Sequence, residues 1–271
     1  LMAEFLNVPY AEVALAALIP GLLYYTCLFI QADLLAARNG ITALKSADLP
    51  RAMRVLTKGG HYIIPFAVLV TGLFKYNLEA ERAVAYATAV TLFLGALRSY
   101  GPTRLTLRGV FHAVVSGGRT VADIIIIGAC AGAIIGVLNI TAVSFGLTLQ
   151  LVSIGESSLF LLLITAAILS IIMGMGLPTL GVYLLLATLT APSMVELGLT
   201  PISAHMFIFF YGMMSLITPP IAVAAFAAAN IGGAPPMKVG WKAVQFSWPA
   251  FVLPFLFVYS PSLLMMGDPW R

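Results

Sequence analysis

The chain has 271 residues, of which 61% are apolar and only 9% charged, with a formal net charge of +4 and a mean hydropathy of +1.03. No water-soluble domain can hide that much apolar side chain, so the composition requires a polytopic, all-α membrane protein. The positive excess does not indicate nucleic acid, because the basic residues gather at the ends of apolar runs rather than on one face.

The first residue is Leu1, and residues 1–6 read as the tail of a helix already under way, as expected of a piece of a longer polypeptide. Residues 13–32 form the first predicted span, between Glu12 and Asp33, kinked at Pro20-Gly21. A polar loop over 38–58 carries Arg38, Lys45, Arg51, Arg54 and Lys58. Two short apolar runs follow, 62–74 and 83–97, joined by a tight turn at Tyr76-Asn77; each needs snorkelling flanks to cross. Residues 98–119 are basic again, and 105–115 is amphipathic enough to lie flat at the interface. The uncharged stretch 124–155 predicts one full span and a shorter helix, with Gly128, Gly132 and Gly136 as a stripe for close helix packing. Cys27 and Cys130 lie inside apolar runs and are expected to be buried, inert packing residues.

Residues 157–195 contain no Asp, Glu, Lys, Arg or His. The run is too long for one span and is interrupted at Gly174-Met175-Gly176-Leu177-Pro178-Thr179. At 1.5 Å per residue the arms 159–173 and 179–195 reach roughly 22–26 Å, short of the ~30 Å hydrocarbon core. Two short arms and a central break predict a re-entrant hairpin over about 159–195. The next run, about 201–231, is broken at Ser215-Leu216-Ile217-Thr218-Pro219-Pro220. A loop with Lys238 and Lys242 then leads to a last span, about 243–266. With the 38–58 loop placed in the cytoplasm, all of the 14 Lys and Arg except Lys75, Arg82 and Arg271 face inward, in keeping with the positive-inside rule.

Proline has no N–H, so it cannot bond the carbonyl four residues back. Pro178, Pro219 and Pro220 are therefore expected to free the carbonyls of Gly174, Ser215 and Leu216. Bare backbone at membrane depth is tolerated only inside protein or beside a wet cavity. With the hydroxyls of Thr179, Ser215 and Thr218, these oxygens predict a nest for a hard cation. The helices restarting at Thr179 and Pro219 turn unbonded N–H groups toward an anion. Interrupted helices with both features recur in secondary-transporter sites.

The three histidines, His61, His112 and His205, have no metal-ligand spacing and are expected to be structural. Asp123 opens a span as an N-cap or a partner of Arg119. No catalytic constellation is present, which argues against an intramembrane enzyme. The hairpin and the core of the broken span are expected to hold no carboxylate and no histidine, and Tyr183 and Tyr211 are poor proton relays at neutral pH. Carbonyl and hydroxyl oxygens suit Na⁺, with proton coupling as the alternative.

The hairpin motif, then Ser215-Leu216-Ile217-Thr218-Pro219-Pro220-Ile221 and the Ala-rich 222–229, resemble the tripartite ATP-independent periplasmic (TRAP) transporters, in the carboxy-terminal half of their large membrane subunit. The opening Met2-Ala3-Glu4-Phe5, Pro20-Gly21-Leu22-Leu23-Tyr24-Tyr25 and the closing Pro235-Pro236-Met237-Lys238 fit the same subunit, and the closest variety is the fused permease that works with a TAXI-type binding protein. The resemblance implies the second inverted repeat of an elevator-type, sodium-driven importer of organic anions in the bacterial inner membrane. It implies a periplasmic binding protein and a small membrane subunit or fused amino-terminal portion as partners, with membrane lipid, no nucleic acid and no cofactor beyond Na⁺. On this basis residues 1–119 are scaffold helices with an interfacial arm, 120–232 the transport portion, and 233–271 the last helix and tail. The implied sodium site takes Gly174, Gly176, Thr179, Ser215, Leu216 and Thr218. The implied substrate side takes Met175, Pro178, Thr179 and Pro219. The first repeat's hairpin and broken helix are missing from this chain, so half of the implied site is too.

Overall fold

The computed structural model describes residues 1–41, 53, 59–97 and 106–266. Lys45, Arg51, Arg54, Lys58, Arg98, Arg104 and the terminal Trp270-Arg271 lie outside the described residues, as does the side chain of Asp123. Among the described residues the regular structure is helical throughout, as the composition requires of a polytopic all-α membrane protein. The chain divides into two compact units, Leu1–Ala14 with Leu34–Ala122, and Leu15–Asp33 with Asp123–Arg271.

Helices α1 (Met2–Leu6), α2 (Tyr10–Ala16) and α3 (Leu18–Arg38) open the chain. The interruption expected from Pro20-Gly21 falls at Ala17, because Pro20 is tolerated in the first turn of a new helix. In the first unit α4 (Ile63–Phe74) and α5 (Ala80–Leu97) form a helical hairpin. Asn77 turns the corner with φ +46, and Leu78 N–H donates to the Gly72 carbonyl at 3.0 Å. A β-carbon on Gly72 would stand 3.3 Å from that of Ala83, so this glycine sets how closely the two helices approach. The turn predicted at Tyr76-Asn77 is thus where the chain reverses.

Helix α6 runs unbroken for 34 residues, Leu107–Ile140. The flat interfacial element expected over 105–115 is not separate; residues 107–115 are the first turns of this helix. Ser116-Gly117-Gly118 lowers helix propensity but supplies no cap and no proline, so the hydrogen-bond ladder continues through it. A short helix, α7 (Val143–Ser157), follows as predicted.

In the second unit the hairpin is built from α8 (Leu159–Gly174) and α9 (Thr179–Leu189). Its second arm is shorter than 179–195. It ends at Thr190, and α10 (Ala191–Glu196) restarts with proline in its first turn, because Pro192 cannot bond the Thr188 carbonyl. The broken span is α11 (Pro201–Met214) and α12 (Val223–Gly232), with residues 215–222 irregular between them. The last stretch begins earlier than 243. Helix α13 (Pro236–Phe246) includes both lysines assigned to a loop, bends at Ser247, and continues as α14 (Trp248–Tyr259).

Three helical stretches among the described residues are long and apolar enough to cross a membrane: Tyr10–Arg38, Ala80–Leu97 and Pro236–Tyr259. The arms of the hairpin and of the broken span are shorter, between 10 and 17 residues. At 1.5 Å per residue they cover roughly 15–25 Å, so each is shorter than the ~30 Å core. Helix α11 is the centre of the second unit, packed by α8, α9, α10 and α14. Leu162, Leu163, Leu186, Phe207, Ile208 and Phe257 are at most 1% exposed there. Phe207, Tyr211 and Phe255 stack with centroids 4.9–6.2 Å apart, and the Tyr211 hydroxyl donates to the Phe251 carbonyl. In lipid such contacts stabilise by close packing and hydrogen bonding rather than by withdrawal from water.

Candidate functional site

The hairpin tip is a tight turn dictated by glycine. Met175 has φ −64 and ψ +123, Gly176 has φ +79, and Leu177 N–H donates to the Gly174 carbonyl at 3.3 Å. This is a type II turn, whose third position takes the left-handed conformation that glycine alone adopts freely. Pro178 then sits as the N-cap of α9, with no side-chain cap. The N–H groups of Thr179, Leu180 and Gly181 have no acceptor among the described residues; the first bond of the helix is Val182 N–H to Pro178 O, 3.0 Å. The tip therefore presents the positive end of a helix with unbonded donors.

The second interruption is a string of turns. Ser215 Oγ donates to Gly212 O at 2.6 Å and Thr218 Oγ1 donates to Met214 O at 2.6 Å. Each hydroxyl spends its proton on α11 and keeps its oxygen lone pairs. The Pro219–Pro220 bond is cis.

The three carbonyls expected to be freed by proline all find new donors. Gly174 O accepts from Leu177, Ser215 O from Thr218 N at 3.4 Å, and Leu216 O from Ala224 N at 2.9 Å. Turn N–H groups seek the nearest acceptor, and the helix-breaking residues bring such groups within reach. The bare oxygens are those next along each turn: among the described residues the carbonyls of Met175, Gly176 and Leu177, and of Ile217, Thr218, Pro219 and Pro220, accept no hydrogen bond.

The structure brings the two interruptions together. A β-carbon on Gly174 would stand 2.6 Å from Ser215 Oγ and 3.1 Å from Gly212 O. One on Gly176 would lie 3.9 Å from Ile221 Cγ2. Of the residues singled out for a cation, Gly174 and Ser215 are buried, Leu216 and Thr218 half-buried, and Gly176 and Thr179 exposed. Of those singled out for substrate, Met175 is half-buried and Pro178 exposed. Pro219 is buried, because a β-carbon on Gly240 of α13 would stand only 2.9 Å from its ring.

Three features escaped the sequence reading. Tyr183 Oη and His205 Nδ1 are 2.8 Å apart and buried, tying α9 to α11; the pair lies 22 positions apart, beyond any local periodicity. Gly212 admits the other hairpin arm, with Val182 Cγ1 at 2.6 Å from a β-carbon built there. Cys130 is exposed rather than buried. It lines an apolar crevice of about 140 Å³ with Ile126, Ile134, Leu177, Pro178 and Leu185.

The family described as tripartite ATP-independent periplasmic transporter, DctM component, matches residues 1–266. The chain belongs to this family. It is also 20% identical over 269 residues to the sialic acid TRAP transporter large permease protein SiaM of Vibrio cholerae serotype O1, a match covering 96% of this chain and 60% of that protein. The chain thus spans less than two-thirds of this curated relative. DctM components are membrane permeases, not enzymes.

Proposed function

We propose that this chain is the permease portion of a sodium-coupled secondary transporter that imports organic anions, carboxylates foremost, delivered by a periplasmic binding protein of the TAXI type, across a bacterial inner membrane. A small membrane subunit or a fused amino-terminal portion completes the permease. The observation that carries the reading is the meeting of two helix interruptions at Gly174 and Ser215, beside turns whose carbonyls accept no hydrogen bond among the described residues. Oxygens of Gly174, Gly176, Thr179, Ser215, Leu216 and Thr218 make the hard, neutral ligand set that suits Na⁺, the Gly174 and Leu216 carbonyls each offering the lone pair left over from one turn hydrogen bond. Met175, Pro178, Thr179 and Pro219 form one side of the substrate pocket, with the carboxylate at the open N-terminus of α9. The second inverted repeat of an elevator carrier accounts for one hairpin and one discontinuous helix in succession.

The test is uptake into proteoliposomes by the complete transporter with its binding protein. Uptake is expected to need an inward sodium gradient. Uptake that ignores sodium and follows a proton gradient overturns the coupling assignment.

One observation favours proton coupling as the second reading. His205 is a titratable group buried at the packing of hairpin and broken helix, hydrogen-bonded to Tyr183. A carrier of that kind places such a group in its core, and the same uptake assay separates the two.

A further inference from the structure

Helix α13 carries its polar residues on one face. Lys238, Trp241, Lys242 and Gln245 follow the i, i+3, i+4, i+7 spacing of a single helical stripe, and all four are exposed. Trp248, just past the Ser247 bend, extends the stripe and is also exposed. The opposite side is packed: Gly240 is buried under Pro219, and Ala243 and Val244 are half-buried.

The two lysines have no counter-charge of their own. The sequence has no Asp or Glu between Glu196 and Asp268, and among the described residues neither lysine joins an ion pair. Lys242 Nζ donates only to the neutral Gln245, at 3.1 Å. Helix α13 is the 11-residue, more polar part of the 24-residue stretch Pro236–Tyr259, which is long and apolar enough to cross a membrane, and the apolar α14 continues that stretch beyond Ser247. Two lysines outside any ion pair flank an exposed tryptophan at the start of this stretch, the end that the positive-inside rule assigns to the cytoplasm, and they match the chemistry of an anionic headgroup layer. Lysine stems snorkel to the phosphates and the indole ring lies at the interface.

We propose that the exposed face of α13 is a docking surface for anionic phospholipid of the cytoplasmic leaflet. Because Gly240 on the reverse of the same helix supports Pro219, the lipid layer then braces the floor of the second helix interruption.

The proposal is tested on the complete transporter, with a fluorophore on Gln245→Cys in a background without other accessible cysteines. Quenching by brominated phosphatidylglycerol is compared with quenching by brominated phosphatidylcholine in mixed bilayers. At low salt the relative binding constant is expected to favour phosphatidylglycerol by roughly fivefold or more, since a lysine at an anionic surface contributes about that factor. The preference is expected to shrink in high salt, to vanish in Lys238→Gln/Lys242→Gln, and to survive in Lys238→Arg/Lys242→Arg. A relative constant near one for the unsubstituted lysines overturns the proposal. So does a preference that the glutamine pair leaves unchanged, or an absence of quenching by either lipid, which shows the face covered by another chain. None of these readouts depends on transport or on which ion drives it.

Discussion

Gly174 and Ser215 occupy one another's space: a single carbon added to the glycine would reach within 2.6 Å of the serine hydroxyl and 2.9 Å of its β-carbon. The hairpin tip and the broken helix can meet only because position 174 has no side chain. Gly174→Ala is therefore expected to force the elements apart, at the roughly 1–3 kcal/mol typical of overpacking. Thermal unfolding of the purified transporter in detergent measures it. Ser215→Gly in the same chain is expected to return part of the loss; an alanine at 174 that leaves the melting temperature untouched contradicts the contact.

Gly176 holds the left-handed position of the tip, φ +79. Gly176→Ala keeps open space around the new methyl, whose nearest atom is Ile221 Cγ2 at 3.9 Å, so its cost is conformational, about 1–2 kcal/mol. Gly176→Asn is expected to cost less, because asparagine tolerates this region. The order Gly, Asn, Ala in stability checks that the tip is a type II turn; equal stabilities for the three contradict it.

Thr218 donates to Met214 O at 2.6 Å and keeps its oxygen lone pairs, whereas Thr179 heads α9 in the open. In the sodium reading both oxygens serve the ion. Thr179→Val and Thr218→Val preserve shape and remove the oxygen. Each is expected to raise the sodium concentration for half-maximal uptake, by about tenfold if one hydroxyl ligand contributes about 1.4 kcal/mol. Wild-type sodium dependence in both variants sinks the assignment of these residues.

The Tyr183–His205 bond crosses from hairpin to broken helix inside the packed core. Tyr183→Phe leaves a buried ring nitrogen without this partner, at about 1–3 kcal/mol of stability. Under sodium coupling this variant and His205→Gln transport more slowly or melt earlier, yet keep their response to the sodium gradient. Loss of a proton-driven component in His205→Gln alone supports the second reading instead.

Gly212 faces the other hairpin arm, with Val182 Cγ1 2.6 Å and Leu186 Cδ1 3.1 Å from a β-carbon placed there. Gly212→Ala is expected to destabilise by roughly 1–3 kcal/mol, and Gly212→Ala with Val182→Ala by less. A double-mutant cycle on thermal unfolding reads this coupling, and strictly additive effects argue against direct packing.

Composition and local pattern were enough for the class of molecule and for the two places where its helices break. Apolar fraction decides which solvent the chain can face, and glycine and proline act on their own backbone and the carbonyl four residues away. For that reason the breaks at 174–179 and 215–220 were legible without coordinates. The fate of the carbonyls was not: Leu216 is re-bonded by Ala224, a donor that becomes available only once the chain has turned through the prolines. Nor did local pattern place Cys130 beside Pro178, continue α6 through Gly117-Gly118, or extend the last helix back over Lys238. That Gly174 admits Ser215, that Gly212 admits Val182 and that His205 meets Tyr183 emerged from the folded packing. Those pairs come from separate helices, and which faces of two helices touch is set by how their side chains pack together, a property that neither segment carries alone.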